Sequence, residues 1–227
     1  NLKDLCQAVI SYDADVGFAV DPDADRLAVV NETGEPLGEE YTLVLAADGY
    51  LKDTGKCEKF VVNLSTSLAL EKLAVSKNSS VIRSAVGEIN VVNKMNEIGS
   101  DLGGEGNGGV ILRECHLGRD SLVAVTMVLN RMSQTEEPLS KIHQSLPQFE
   151  IVKDKVSLEG IDPDALIQKV SELFNDAEKN TLDGIKFTWE NKWVHLRKSN
   201  TEPIMRIYAE ACNKESAEKL VKSVQSC

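Results

Sequence analysis

Three carboxylates within five residues, Asp21, Asp23 and Asp25, stand between two apolar runs, Val16-Gly17-Phe18-Ala19-Val20 and Leu27-Ala28-Val29-Val30. The pattern demands two strands joined by a short loop in which like charges crowd together, and such a loop is relieved by a cation. Alternate spacing lets all three side chains converge from one side of an extended or gently curled segment, and their oxygens suit Mg²⁺ far better than Zn²⁺ or copper. A Mg²⁺ loop is expected at Asp21, Asp23 and Asp25; the competing reading is a polar turn, since Asp and Pro favour turns for local reasons. An EF-hand is excluded, although Glu32 stands at its twelfth position. Its sixth position requires Gly and holds Arg26, and the flanks read as strands rather than helices.

Around this loop the apolar pattern alternates. A short helix is expected over Leu2 to Ile10, strands over Asp15 to Asp21 and Arg26 to Asn31, and a turn at Thr33-Gly34. Helical spacing from Glu39 to Lys52 ends at Gly55. The run Phe60 to Leu64 reads as a buried strand, followed by a helix through Leu68, Leu70 and Leu73 capped by Ser65 or Thr66. A strand at Val81 to Ala85 and a helix from Glu88 to Ile98 continue the alternation, which favours a parallel sheet covered on both faces. A helix over Asp120 to Met132 follows. Polar residues ending in Pro138 mark a domain boundary, and the rest reads as a small α+β domain. Its elements are a short helix at Leu139 to Leu146, a strand at Phe149 to Leu158, and a helix from Pro163 to Phe174. Strands at Ile185 to Trp189, Lys192 to Arg197 and Ile204 to Glu210 precede a last helix from Lys214 to Val224. The fold class is α/β: a parallel-type mixed sheet with flanking helices, then the α+β domain.

A net charge of −11 over 227 residues argues against nucleic acid as a partner, because its binding relies on basic patches. Any anionic substrate must be held by local cations. No apolar run approaches the length of a membrane span and the N-terminal residues do not resemble a signal peptide, so a cytoplasmic protein is expected. The five cysteines are odd in number and widely separated, which fits scattered thiols better than a zinc or disulfide framework. Opening on Asn1, in what reads as the end of a helix, the chain is expected to be a fragment.

Two other segments carry chemistry. Gly103 to Gly109 holds five glycines in seven residues; such a loop lets backbone approach a ligand, while Glu105 and Asn107 offer acceptors and donors suited to sugar hydroxyls. It lacks the lysine of a P-loop and the order of a dinucleotide turn. A flexible hairpin tip is the alternative. Arg197-Lys198-Ser199-Asn200-Thr201-Glu202-Pro203, with Arg206 beyond, supplies guanidinium groups and hydroxyls that hold phosphate, although an exposed polar hairpin contains similar letters.

Together and in this order, the three segments resemble the α-D-phosphohexomutase family, which includes phosphoglucomutase, phosphomannomutase and phosphoglucosamine mutase. Asp21 to Arg26 looks like the family's D-x-D-x-D-R metal loop. Gly104 to Gly109 looks like its G-E-x-S/N-G-x sugar loop, and Arg197 to Arg206 like its R-x-S-N/G-T-x-P phosphate loop. The resemblance covers essentially the whole chain and implies the C-terminal half of the enzyme: residues 1–32 as the end of domain 2, 33–138 as domain 3, and 139–227 as domain 4. The family's phosphoserine, carried in a T-A-S-H-N-P type motif, is absent from this sequence, so the missing N-terminal half is an expected partner and this chain alone is expected to be inactive.

What the resemblance implies is an isomerase. Phosphoserine passes its phosphoryl group to a hexose phosphate, and the bisphosphate intermediate turns and returns the other. Asp21, Asp23 and Asp25 would hold Mg²⁺ and Arg26 would stabilise charge on the moving group. Glu105 and Asn107 would contact sugar hydroxyls. Arg197, Ser199, Asn200, Thr201 and Arg206 would hold the phosphate that is not reacting. Glu88 has either a catalytic or substrate contact or a helix N-terminal charge role. Gly109 departs from members with His there, so a sugar or proton contact is lost or supplied elsewhere. His116 and His195 read as structural, His143 as a surface residue, Arg119 and Asp120 as the start of a helix, and Trp189 and Trp193 as packing. A stand-alone sugar-phosphate-binding or regulatory module is the rival reading.

Overall fold

Buried apolar runs nucleate the first sheet, and their order in the chain makes it mixed. The computed structural model describes residues 2–199 and 202–227 and divides into two units, Asn1–Pro147 and Gln148–Cys227. In the first, α1 (Lys3–Ser11) precedes an antiparallel hairpin of β1 (Val16–Val20) and β2 (Leu27–Asn31). Then come α2 (Glu39–Thr54), β3 (Lys59–Asn63), α3 (Leu68–Ser76), β4 (Ser80–Ser84), α4 (Glu88–Ile98), β5 (Leu102–Glu105), β6 (Gly109–Leu112), α5 (Ser121–Ser133) and α6 (Leu139–Ser145). The sheet runs β4-β3-β5-β6, with β3 parallel to both β4 and β5 and β6 antiparallel at the edge.

Residues of β3 point alternately to helices on the two sides. Val61 joins Val91, Met95 and Ile111 in one core cluster, so α4 covers that face. Gly103 and Gly104, expected in a ligand loop, lie inside β5, and packing explains them. A Cβ on Gly103 would meet Met95 Sδ and Val61 O, each at 2.6 Å, and one on Gly104 would meet Gly109 O at 2.2 Å and Leu43 Cδ1 at 3.1 Å, so backbone of the adjoining strands together with α4 on one face and α2 on the other leaves no room for a side chain. Helix α2 is correspondingly buried all round from Tyr41 to Gly49, with Thr42 bonded to Leu27 O and Asp48 paired with Arg131 among its apolar residues.

Three expectations are corrected here. The cap of α3 is Ser67, whose side chain accepts from Ala69 N, rather than Ser65 or Thr66. Helix α6 packs on the first unit rather than opening the second. Leu139 and Ile142 are buried, and Glu32 accepts from the Ser140 backbone at 3.0 Å, so the contacts divide after Pro147, not Pro138. His143, expected at the surface, is half-buried edge-on to the Tyr41 ring at 4.4 Å, and burial lowers its pKa.

The second unit is an antiparallel sheet of β7 (Glu150–Ser157), β8 (Glu178–Asn180), β9 (Ile185–Trp189), β10 (Lys192–Lys198) and β11 (Ile204–Ala211), in the order β7-β11-β10-β9-β8. Helices α7 (Pro163–Leu173) and α8 (Lys214–Gln225) bury Leu166, Val170, Leu220, Val221 and Val224 against Phe187, Val194, Leu196 and Ile207. The Glu190-Asn191 turn joins β9 to β10 with Trp189 opposite Lys192. All five cysteines are free. No helix among the described residues is long and apolar enough to cross a membrane.

Candidate functional site

The β1-β2 hairpin closes at Val20 opposite Leu27, leaving residues 21–26 as its loop. Asp21 organises that loop: its Oδ1 accepts the backbone N–H groups of Asp25 at 3.2 Å and Arg26 at 3.1 Å, and its Oδ2 pairs with Arg26 Nε at 2.6 Å. Ala24 takes the left-handed conformation at φ 58°. Its carbonyl accepts the Ser121 hydroxyl at 2.7 Å, which pins the loop to the start of α5. One carboxylate oxygen from each of Asp21, Asp23 and Asp25 lies within 4.8 Å of the others.

The electrostatics of the three differ. Partial desolvation would raise the Asp21 pKa, but the Arg26 hydrogen bonds and charge outweigh it and lower it to about 2. Asp25 moves the other way: burial raises its pKa, with the charges of Asp21 and Asp23 adding to burial and Arg119 opposing it. Asp25 Oδ1 is buried and has no hydrogen-bond partner among the described residues. An all-oxygen donor set with one orphaned carboxylate oxygen suits a hard divalent cation. Arg26 is turned onto Asp21, with Asp25 Oδ1 at 3.6 Å.

The glycine-rich segment is the β5-β6 hairpin with its turn at residues 106–108. Leu27 N donates to Gly108 O at 3.0 Å, and a Cβ on Gly108 would sit 2.4 Å from Leu27 O, so this turn lies against the first residue of β2. Only glycine, at φ +90°, permits that approach. Asn107 is half-buried and accepts from Gly109 N at 3.3 Å. Glu105 is 3% exposed, and protein donors already occupy both its oxygens. Asn63 Nδ2 at 2.7 Å and Gly87 N at 3.0 Å reach Oε1, and Arg119 Nη1 at 2.7 Å reaches Oε2.

Asp120 caps α5, accepting from Leu122 N at 2.7 Å and Val123 N at 3.1 Å. Arg119 does more than begin that helix. Its guanidinium pairs with Asp25 of the acidic loop and with Glu105 of the glycine hairpin, and Glu88 Oε2 lies 3.5 Å from its Nε. Glu88, first residue of α4, also accepts the Arg119 backbone N–H at 2.7 Å. The structure thus joins Asp25, Glu88 and Glu105 through one arginine that the sequence reading had placed only in a helix start. A topological signal was available: Asn63, Gly87 and Glu105 stand at or just beyond the carboxyl ends of the parallel strands β3, β4 and β5, where such sheets gather their sites.

In the second unit, the β10-β11 loop is closed by Ser199, whose N–H donates to Ile204 O at 3.0 Å and whose Oγ accepts from Glu202 N at 3.3 Å. Asn200 and Thr201 lie outside the described residues. Arg197 opposes Arg206 across β10 and β11, and Arg206 opposes Lys155 across β11 and β7, which sets three cations in a row on one sheet face. Asp183 pairs with Arg197 at 3.0 Å. Arg206 is exposed. His195 is buried with its Nε2 2.6 Å from Asp183 O, and Trp193 is buried with its Nε1 on Glu210 Oε2, as structural readings require. His116 is exposed, 3.3 Å from Asp120.

Comparison with known proteins identifies two successive domains in the chain. Residues 38–149 match the model for phosphoglucomutase/phosphomannomutase alpha/beta/alpha domain III, and residues 153–225 match the model for the phosphoglucomutase/phosphomannomutase C-terminal domain. A phosphoglucomutase/phosphomannomutase of Thermococcus kodakarensis is 34% identical, over 98% of this chain and 49% of that protein. A probable phosphoglucosamine mutase of Methanopyrus kandleri is 31% identical, over 97% and 49%. Among solved structures, a phosphoglucomutase/phosphomannomutase family protein of Burkholderia thailandensis superimposes with TM-score 0.84 at 25% identity, covering 100% of this chain and 49% of that one. An Aspergillus fumigatus N-acetylphosphoglucosamine mutase, solved with GlcNAc-6P and magnesium, shares the fold at TM-score 0.63 and 17% identity, over 91% and 47%. The chain spans about half the length of the curated relatives it matches, and it belongs to the phosphoglucomutase/phosphomannomutase family.

Proposed function

We propose that this chain supplies the metal, sugar and phosphate loops of a Mg²⁺-dependent phosphohexomutase that interconverts hexose 1-phosphate and hexose 6-phosphate through a phosphoserine and a bisphosphate intermediate. In this reading residues 1–32 are the end of domain 2, and the serine belongs to an N-terminal half outside this sequence. The observation that carries the proposal is the convergence of Asp21, Asp23 and Asp25 within 4.8 Å, tied through Arg119 to Glu105 at the glycine hairpin.

The residues that would hold Mg²⁺ are Asp21, Asp23 and Asp25. When bound, the cation supplies charge stabilisation to a phosphoryl group in flight. Arg26, now on Asp21, has the reach of a flexible side chain to stabilise the same charge. Asn107, at the hairpin turn, would meet a sugar hydroxyl, whereas Glu105 would have to yield one of its present donors to do so. The row Lys155, Arg206 and Arg197 supports anion binding, because Asp183 offsets only the charge of Arg197 and the like charges set opposite one another on the sheet favour an anion beside them.

The test is turnover. With its N-terminal half restored, the protein should convert at least one of glucose, mannose or glucosamine 1-phosphate to the 6-phosphate in a Mg²⁺-dependent manner, and this chain alone should not. A full-length protein inert on all three overturns the mutase reading.

A further inference from the structure

We infer that Arg119 is a positioning residue that joins Arg26 as a resident cation of the acidic loop, holding Asp25 against Glu105 with a grip that a divalent metal on the loop loosens, in room that exists because position 109 has no side chain. The inference rests on the proposed metal role of Asp21, Asp23 and Asp25.

Space is the first argument. A Cβ on Gly109 would lie 2.3 Å from Arg119 Cδ and 3.0 Å from its Cγ, so the arginine stem runs where any larger residue would project. Charge is the second. The guanidinium side chain is 17% exposed and faces three carboxylates, Asp25, Glu88 and Glu105, on three separate elements. A single positive charge there offsets part of the mutual repulsion of these three carboxylates.

Satisfaction is the third. Asp25 uses Oδ2 on Arg119 while its Oδ1 has no hydrogen-bond partner among the described residues, and Arg119 Nε is likewise buried without one. The pair is therefore incompletely satisfied on both sides. A dication on Asp25 Oδ1 would draw on the same carboxylate charge that holds Arg119 on Oδ2, so each cation weakens the other's hold. Arg119 then stays anchored through Nη1 on Glu105 and through its backbone on Glu88 while its Nη2 contact with Asp25 loosens.

Metal affinity of the chain decides the matter, read as Mn²⁺ binding by electron paramagnetic resonance and Mg²⁺ binding by calorimetry. Arg119→Met removes the competing cation at similar volume and should tighten binding about fivefold, the scale of a partly exposed ion pair. Gly109→Ala keeps the charge but displaces the stem, and should tighten binding about twofold. It also supplies the test if Arg119→Met does not fold. In the wild type, exchange of the Arg119 guanidinium protons should speed up on Mg²⁺ titration as its hold on Asp25 loosens, whereas an arginine that keeps all its partners would show a shifted resonance with unchanged exchange. Unchanged or weakened binding in a folded variant, or unchanged exchange, overturns the inference and leaves the mutase reading standing. A wild-type chain that binds neither ion overturns the metal role itself, and this inference with it.

Discussion

Asn63 Nδ2 donates to Glu105 Oε1 at 2.7 Å, joining the end of β3 to the end of β5 beneath the glycine hairpin. With Gly87 N on the same oxygen and Arg119 Nη1 on the other, every group around this carboxylate is a donor. Glu105→Gln should therefore cost about 3 kcal/mol, because in either amide orientation an NH₂ faces another donor and Arg119 loses a buried charge partner. Urea unfolding followed by circular dichroism measures it. A loss below about 1 kcal/mol would mean that the carboxylate is not bonded as described.

Asp23 offers the opposite case. It is exposed and makes no hydrogen bond or ion pair among the described residues, unlike Asp21 and Asp25. Asp23→Asn should leave stability within about 0.5 kcal/mol of the wild type, since exposed substitutions without partners are nearly neutral. Mg²⁺ affinity should nevertheless fall about tenfold with the loss of a charged ligand. Equal affinity in the two proteins would remove Asp23 from the coordination set.

Helix α6 gives a test of where the first unit ends. Leu139 is 0% exposed, Ile142 1% and Leu146 5%, and each such side chain contributes about 1.5 to 3 kcal/mol by burial. A chain ending at Pro147 should fold cooperatively, whereas one ending at Pro138 should melt lower and bind hydrophobic dyes. Equal melting temperatures would restore the boundary to the polar segment before Pro138.

How much of this was legible depended on whether the signal was local. Helix α4 could be read to the residue because Gly87 and Gly99 bracket an apolar period, and the Glu190-Asn191 turn announced the β9-β10 hairpin. Strand β8 was missed because Glu178, Lys179 and Asn180 are all exposed and show no alternation. Gly103 and Gly104 resembled loop because glycine carries no strand signal; their reason for being in β5 is the close approach of Val61 O and Gly109 O together with the bulk of Met95 and Leu43 across the sheet faces. Arg119 was invisible as a site residue for the same cause. Its partners lie on the acidic loop, on α4 and at the end of β5, and no local pattern brings them together.

His195 makes the second unit sensitive to pH between 6.5 and 4. Burial pushes its pKa down to about 4, with the nearby charges of Lys186 and Arg197 adding to burial and the bond to Asp183 O opposing it. That carbonyl can only accept, so Nε2 holds the proton of the neutral ring. In the unfolded chain the imidazole titrates near 6.5, so between pH 6.5 and 4 the unfolded state binds a proton that the folded state refuses. Stability is therefore full above pH 6.5 and declines as pH falls to 4, by up to about 3 kcal/mol. Both tryptophans, Trp189 and Trp193, belong to this unit, so fluorescence-monitored urea midpoints report it directly. His195→Gln, which keeps a donor for Asp183 O, should flatten that part of the profile while the carboxylate-driven loss at lower pH persists. Parallel profiles for the two proteins would show that the ring is not held neutral by burial.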